Sequence, residues 1–279
     1  LIKELRDKTG AGFLDCKNAL SENSNDLDSA ADFLRKKGLI KASKKTSREA
    51  NEGAVGIYYN DRFVILLKVN SETDFAAKSD TFLNFLDTLG DIAIKNASID
   101  LNLNKFLNLK FENNPLSEYF NSMIAKIGEN LILKELLVLE NKDDNFSFYI
   151  HNSYRNNIGK IISFIKFKST KDDEKIKIFA KNLCMHIAAM KPESLDVNDL
   201  NEEIVLKEKN IQKELILNSG KPSNIADKIL EGKMKKFYSE VTFYNQSYIL
   251  DQDKTVKQVI SDYKKEYDFS INFFHLISL

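Results

Sequence analysis

"RFVILLKVNSETDFAAKSD" (Arg62–Asp80) decides how the middle of this chain is read. From Phe63 to Val69 it is almost unbroken apolar sequence, the composition of a buried strand. It then turns polar and runs into an acidic-aromatic pair, Asp74-Phe75. A phenylalanine there either folds back into the core or stands out from the body. Upstream, "AVGIYY" is a second strand, and Asn60-Asp61 between the two is a suitable hairpin turn. Downstream, "DTFLNFLDTLGDIAIKN" is helix-like. The order is strand, turn, strand, link, amphipathic helix. It recurs later as "FSFYIH", a longer polar loop, "IGKIISFIKF" and then "DDEKIKIFAKNLCMHIAAM".

Outward from this pair of units the chain is helical. "LIKELRDK" is closed by the Thr9-Gly10-Ala11-Gly12 turn. "FLDCKNALSE" follows, and a third helix starts near Asn25-Asp26 and runs to Gly38, with Leu27, Ala30, Ala31 and Leu34 on one face. The basic run "RKKGLIKASKKTSR" then reads as a solvated helical linker. Between the two units, "LNLNKFLNLKFENNP" reads as a connection and "LSEYFNSMIAKIGENLILKELLVLE" as a helix passing through Gly128 into a strand. After Pro192, Ile204, Ile211 and Leu215 share one helical stripe. Ser219 to Pro222 breaks the helix, and Ile225, Ile229, Leu230 and Met234 follow on a second one, giving an antiparallel hairpin that forms an arm. "VTFYNQSYIL" is expected to return to the sheet, followed by a helix and a last strand, "DFSINFFHLI".

The expected fold is therefore α+β, with residues 1–46 a three-helix domain plus basic linker. Residues 47–140 form a first core subdomain. Residues 141–279 form a related second one, carrying the hairpin at about 197–238; both have antiparallel sheets.

Composition excludes more than it suggests. The 279 residues carry 41 basic and 41 acidic side chains, so net charge gives no reason to expect nucleic acid or a membrane. The two cysteines, Cys16 and Cys184, sit on helical stretches far apart, unlike a disulfide framework, and the start of the sequence is charged rather than signal-like. A cytoplasmic protein is expected. Of the three histidines, His186 and His275 read as core or boundary residues and only His151 as exposed. None stands at metal-ligand spacing, and no phosphate-binding loop, dinucleotide fingerprint or serine elbow is present. Neither a cofactor nor an enzyme activity is expected.

Five segments carry a resemblance: "LRDKTGAGFLDCKNAL", "VNSETDFAAK", "KIGENLILKELLVLE", "MHIAAMKPESL" and "SGKPSNIADKILEGKMKKFYSE". In that order they are similar to the signature segments of translation elongation factor Ts. The resemblance implies an amino-terminal domain of the ubiquitin-associated type, two α+β core subdomains and a protruding hairpin. It also implies a function: guanine-nucleotide exchange on elongation factor Tu, through protein–protein contact and without direct nucleic-acid or membrane binding. The resemblance is also compatible with a higher-order complex with that partner.

The residues alone favour Thr73 or Asp74 capping a short helix, with Phe75 packed back on the core. The resemblance reverses this, since it implies that the Thr73-Asp74-Phe75 motif contacts the GTPase domain, with Thr73 among the partner-binding residues and the Phe75 ring wedged beside the nucleotide and magnesium site. It further implies contacts from Arg6, Phe13, Leu14 and Lys17, from Ile127 and Gly128, and from His151 and Leu230. Phe13-Leu14 stands where many members have two methionines. The turn after His151, "NSYRNNIG", is longer and poorer in glycine than usual. The sequence ends at "INFFHLISL", without the terminal helix with which some members grip the partner. The alternative reading is an adaptor that uses its three-helix domain for protein binding.

Overall fold

The computed structural model describes residues 1–43, 45–141, 145–171, 173–218 and 223–279. They form an α+β architecture that divides into two compact units. The first comprises Leu1–Lys142, Asn152–Ile161 and Ile277–Leu279, and the second Asp143–His151 and Ile162–Leu276.

The first unit opens with α1 (Ile2–Thr9), α2 (Phe13–Glu22) and α3 (Leu27–Ser43). Leu5, Cys16, Ala19, Leu20, Ala30 and Leu34 make their small core. Gly10 ends α1 in the left-handed region (φ 66). α3 does not end at Gly38 but runs unbroken to Ser43, so the basic segment expected as a helical linker begins as a continuation of the third helix. Gly38 serves packing instead. A Cβ there would meet the Ala125 Cβ at 3.3 Å, so a bare backbone lets α3 approach α7 (Leu116–Ile127) closely.

β1 (Glu52–Tyr59) and β2 (Phe63–Ser71) form the expected antiparallel hairpin. Asn60 Oδ1 accepts the backbone N–H groups of Arg62 (2.9 Å) and Phe63 (2.8 Å), which fixes the turn. Phe63, Ile65, Leu67 and Val69, at period two, point into the main core. The alternate residues Val64 and Leu66 are buried as well, which explains the unbroken apolar run. After α4 (Asp74–Ala77), α5 (Asp80–Lys95) lays Phe82, Phe85, Leu86, Leu89 and Ala93 into the same core.

The stretch read as a plain connection is ordered. Asn102 caps α6 (Leu103–Leu107), whose Phe106 is fully buried. β3 (Lys110–Phe111) and β4 (Asn114–Pro115) close around Glu112 and Asn113, both at positive φ. α7 then ends at Gly128, and β5 (Leu131–Glu140) pairs antiparallel with β2. A bulge at Lys134 shifts the register between Lys68 and Val69.

In the second unit, β6 (Asn145–Arg155) contributes its residues up to His151 and β7 (Ile158–Lys168) those from Ile162. The polar loop expected between these strands is mostly strand. β6 runs on to Arg155, and only Asn156 and Asn157 turn. Within this stretch Asn152 sits at positive φ (51). β7 also pairs with β10 (Ser270–Ser278).

α8 (Glu174–Met190) buries Ile176, Phe179, Leu183, Cys184 and Ile187. Its Phe179 ring stacks on Tyr263 of α11 (Val256–Tyr267) at 3.7 Å. α9 (Glu202–Asn218) and α10 (Ser223–Val241) form the helical hairpin; its expected break at residues 219–222 lies outside the described residues. The hairpin core is Ile216, Leu230 and Met234 with Val205, Ile229 and Phe237 around it. Ile204, Ile211 and Leu215, the stripe picked out from sequence, are exposed, so the inward face of α9 is displaced from the one that stripe suggests.

The following segment does not rejoin the sheet as expected. Phe243 and Tyr244 donate to the carbonyls of Ser194 and Leu195. The chain then forms a separate small ladder of β8 (Ser247–Tyr248) and β9 (Asp251–Thr255).

Candidate partner-binding site

The link after β2 is a short, well-braced turn. Ser71 is fully buried, and its hydroxyl donates to the Thr73 carbonyl at 2.9 Å. Thr73 keeps extended backbone angles (φ −126, ψ 155), and its side chain accepts the Ala76 N–H at 3.2 Å, an N-cap for α4. Ser79 closes the far end by donating to the Ala76 carbonyl at 2.7 Å while capping α5.

Ala77 is fully buried, so one side of the single turn faces the core. Successive residues of a helix rotate by about 100°, which puts a side chain two positions earlier on nearly the opposite side. That residue is Phe75, and it is 83% exposed. The cap anticipated from the residues is present, but the aromatic ring does not fold back. Asp74 beside it pairs with Lys78 at 2.7 Å. The hydrogen bond from Lys78 holds the Asp74 carboxyl below the usual carboxylate range.

A second loop, between α7 and β5, meets this turn. Gly128 adopts φ 87, which a side-chain-bearing residue rarely does, and so reverses the chain after α7. Glu129 then reaches Thr73 with both carboxylate oxygens. The Thr73 hydroxyl donates to one at 2.6 Å and the Thr73 N–H to the other at 3.0 Å. In the opposite direction, Asn130 donates its N–H to Glu72 Oε1 at 2.6 Å. Arg48 joins both loops, with its guanidinium 3.4 Å from Glu72 and its carbonyl accepting from Asn130 Nδ2 at 2.7 Å. Lys45 donates to the Gly128 carbonyl.

The three-helix domain abuts the same end of α7. A Cβ on Gly10 would lie 2.7 Å from Cε of Lys126, so the Thr9–Gly12 turn rests on that lysine. Phe13 and Leu14, immediately after this turn, are 58% and 67% exposed, and Arg6 and Lys17 are exposed as well. Ile127 is partly buried against the main core.

A family model described as Elongation factor TS matches residues 72–278. The chain belongs to the elongation factor Ts family. An elongation factor Ts of Ehrlichia ruminantium is 39% identical over 272 residues, covering 97% of this chain and 94% of the relative. Those of Rhizobium etli and Syntrophotalea carbinolica are 36% and 38% identical, each covering 95% of this chain and 86% of the relative. Membership makes this a translation elongation factor of protein biosynthesis.

In the second unit His151 is exposed on β6, where its Nδ1 lies 3.2 Å from the Tyr149 hydroxyl. Leu230 is 9% exposed and belongs to the hairpin's own core. His186 is fully buried; its Nε2 bonds Gln246 Oε1 at 2.9 Å, and its Nδ1 accepts the Ile249 N–H at 3.2 Å. His275 stacks on Phe273. Among the described residues no group of three or more His, Cys, Asp or Glu side chains could hold a metal ion, and no helix is long and apolar enough to cross a membrane.

Sequence reasoning singled out Thr73, Asp74, Phe75 and Gly128 as candidates but passed over Glu72, Glu129, Asn130 and Arg48, which the structure joins to them. The signal was within the quoted segments. Two glutamates next to turns, each followed or preceded by a short polar residue, differ from surface glutamates only in what they reach across the fold.

Proposed function

We propose that this chain is a guanine-nucleotide exchange factor that binds elongation factor Tu and promotes GDP release, with Phe75 entering the GTPase domain beside the nucleotide and magnesium site. One observation carries the reading: the large aromatic side chain of Phe75 stands in solvent on a turn whose backbone is hydrogen-bonded on both sides. A flexible loop would lose ordering entropy on docking, whereas a braced one presents its anchor ready-made. Arg6, Phe13, Leu14 and Lys17, together with Ile127, Gly128 and His151, supply further contacts. Leu230 acts by shaping the hairpin that it packs.

Burying one phenylalanine contributes about 1.5–3 kcal/mol, which is roughly 10- to 150-fold in a rate if realised only as the nucleotide leaves. Larger accelerations draw on the remaining contacts favouring a distorted nucleotide site. Linkage requires that GDP or GTP weaken binding of the factor by the ratio in which the factor weakens nucleotide binding. No covalent step is needed, and the protein is recycled when nucleotide displaces it. Its place of action is the cytoplasm, and residues 1–46, 47–140 and 141–279 act as its three working parts.

The test is release of a fluorescent GDP from elongation factor Tu with and without this protein. Acceleration by the wild type and a severalfold or larger loss with Phe75→Ala are expected. No acceleration by the wild type overturns the exchange reading, and an unchanged rate with Phe75→Ala overturns the wedge.

A further inference from the structure

We propose that Glu129 and Glu72 are positioning residues for Phe75, forming a reciprocal clasp between the two loops that fixes the direction of the ring before any partner arrives; this rests on the exchange-factor reading above. α4 has only four residues, far below the length at which a helix holds itself together in water. Its orientation is therefore set by what grips its ends. At its first end the grip is on Thr73, the N-cap, so any rotation of Thr73 turns the helix and re-aims the residue two positions on.

The geometry of the clasp suits this task. Thr73 presents two donors to Glu129, its N–H at 3.0 Å and its hydroxyl at 2.6 Å, and the carboxylate accepts one on each oxygen. A bidentate contact fixes both distance and tilt, and bonds to an ionised acceptor are stronger than neutral ones. Glu72, the residue before Thr73, takes the N–H of Asn130, the residue after Glu129, at 2.6 Å. Each loop thus holds a backbone N–H of the other, and neither can slide without breaking both contacts. Arg48 adds a third strand to the clasp through Glu72 and through Asn130 Nδ2, tying in the segment that leads from the three-helix domain.

The chemistry of the pair provides the test. In Glu129→Gln the side chain keeps its shape but offers one acceptor and one donor to two donors. Either the Thr73 N–H loses its acceptor, or the hydroxyl accepts from the amide and its own proton goes unpaired. GDP release from elongation factor Tu is measured at sub-saturating protein for wild type, Glu129→Gln, Phe75→Ala and the double variant, with thermal unfolding followed by circular dichroism for each. Glu129→Gln is expected to lower stimulated release about tenfold, the weight of one charge-assisted hydrogen bond. In the Phe75→Ala background it should change release by less than about twofold, because its effect runs through that ring.

Wild-type release by Glu129→Gln, or the same loss in both backgrounds, overturns the clasp while leaving the exchange reading intact. If Phe75→Ala already matches wild type, the wedge reading has failed and the clasp falls with it. Should Glu129→Gln not fold, Thr73→Ser and Thr73→Val serve instead. Serine keeps both donors and should retain activity, whereas valine loses the hydroxyl and should not. Equal activities of those two variants overturn the proposal.

Discussion

Gly90→Ala sets two well-characterised effects against each other inside α5. Alanine in a helix interior is normally worth about 1 kcal/mol over glycine. Here an added Cβ would lie 2.3 Å from Cε1 and Cζ of the Tyr58 ring, far inside contact distance. The ring has nowhere to go. On its other side it lies against β1, where a Cβ on Gly56 would meet it at 2.8 Å. Its hydroxyl donates to Asp87 at 3.2 Å, and Asp87 is itself held by Arg155 and by Asn157 Nδ2 at 2.9 Å. Forcing such an overlap costs about 1–3 kcal/mol, and an approach this close belongs near the top of that range.

The net expectation is a destabilisation of about 1–2 kcal/mol, read from urea unfolding monitored by circular dichroism. The argument is sharper in a Tyr58→Ala background. Without the ring the clash disappears, and Gly90→Ala should become stabilising by about 0.5–1 kcal/mol. A stabilising Gly90→Ala in the wild type, or an equal effect in the two backgrounds, would refute the steric reasoning.

Two titrations give further expectations. Asp74 ionises below its ordinary value of 3.8 because Lys78 hydrogen-bonds its carboxylate, so the pair's contribution is complete above that value and is lost as pH falls through the folded-state value. Carboxyl-carbon NMR should find the Asp74 midpoint below 3.8 in the wild type and raised in Lys78→Met; an unmoved midpoint counts against the pairing. Burial lowers the pKa of His186 below its ordinary 6.5, so the unfolded chain takes up a proton there that the folded one does not. Stability should therefore decline as pH falls below 6.5, by at most about 1.4 kcal/mol per unit. His186→Gln should remove that component of the slope, and an identical pH profile for the two proteins would show that another group is responsible.

Much of the secondary structure was legible because it depends on neighbours in sequence. Strand, turn and strand from Glu52 to Ser71 follow from a continuous apolar run on either side of Asn60-Asp61. The end of α7 follows from Gly128, whose positive φ few other residues adopt. Misreadings fell where local and tertiary signals part. Gly38 looked like a terminator, yet α7 packs against it and the helix continues. "NSYRNNIG" looked like a loop because it is polar, yet its backbone is strand up to Arg155, a pattern that polarity alone does not betray. In the hairpin, a stripe of isoleucine and leucine suggested an inner face. Which residues of α9 face inward depends on how α10 lies against it, and Ile216 with Leu230 and Met234 occupies that seam.

The site divides in the same way. Capping by Thr73 is a property of a few consecutive residues, since a hydroxyl at an N-cap needs only the amide three positions on. The direction of Phe75 is not, because a four-residue helix can present any side to the core. It is decided by Ala77 facing inward and by Glu129, 56 positions beyond Thr73, holding the Thr73 backbone. By itself the sequence determined most of the long elements, their order and the family. Only the tertiary structure decided which face of each element is solvated and which distant carboxylate grips which turn. Backbone preferences act over a few residues, whereas burial and long-range hydrogen bonds exist only once the chain has closed upon itself.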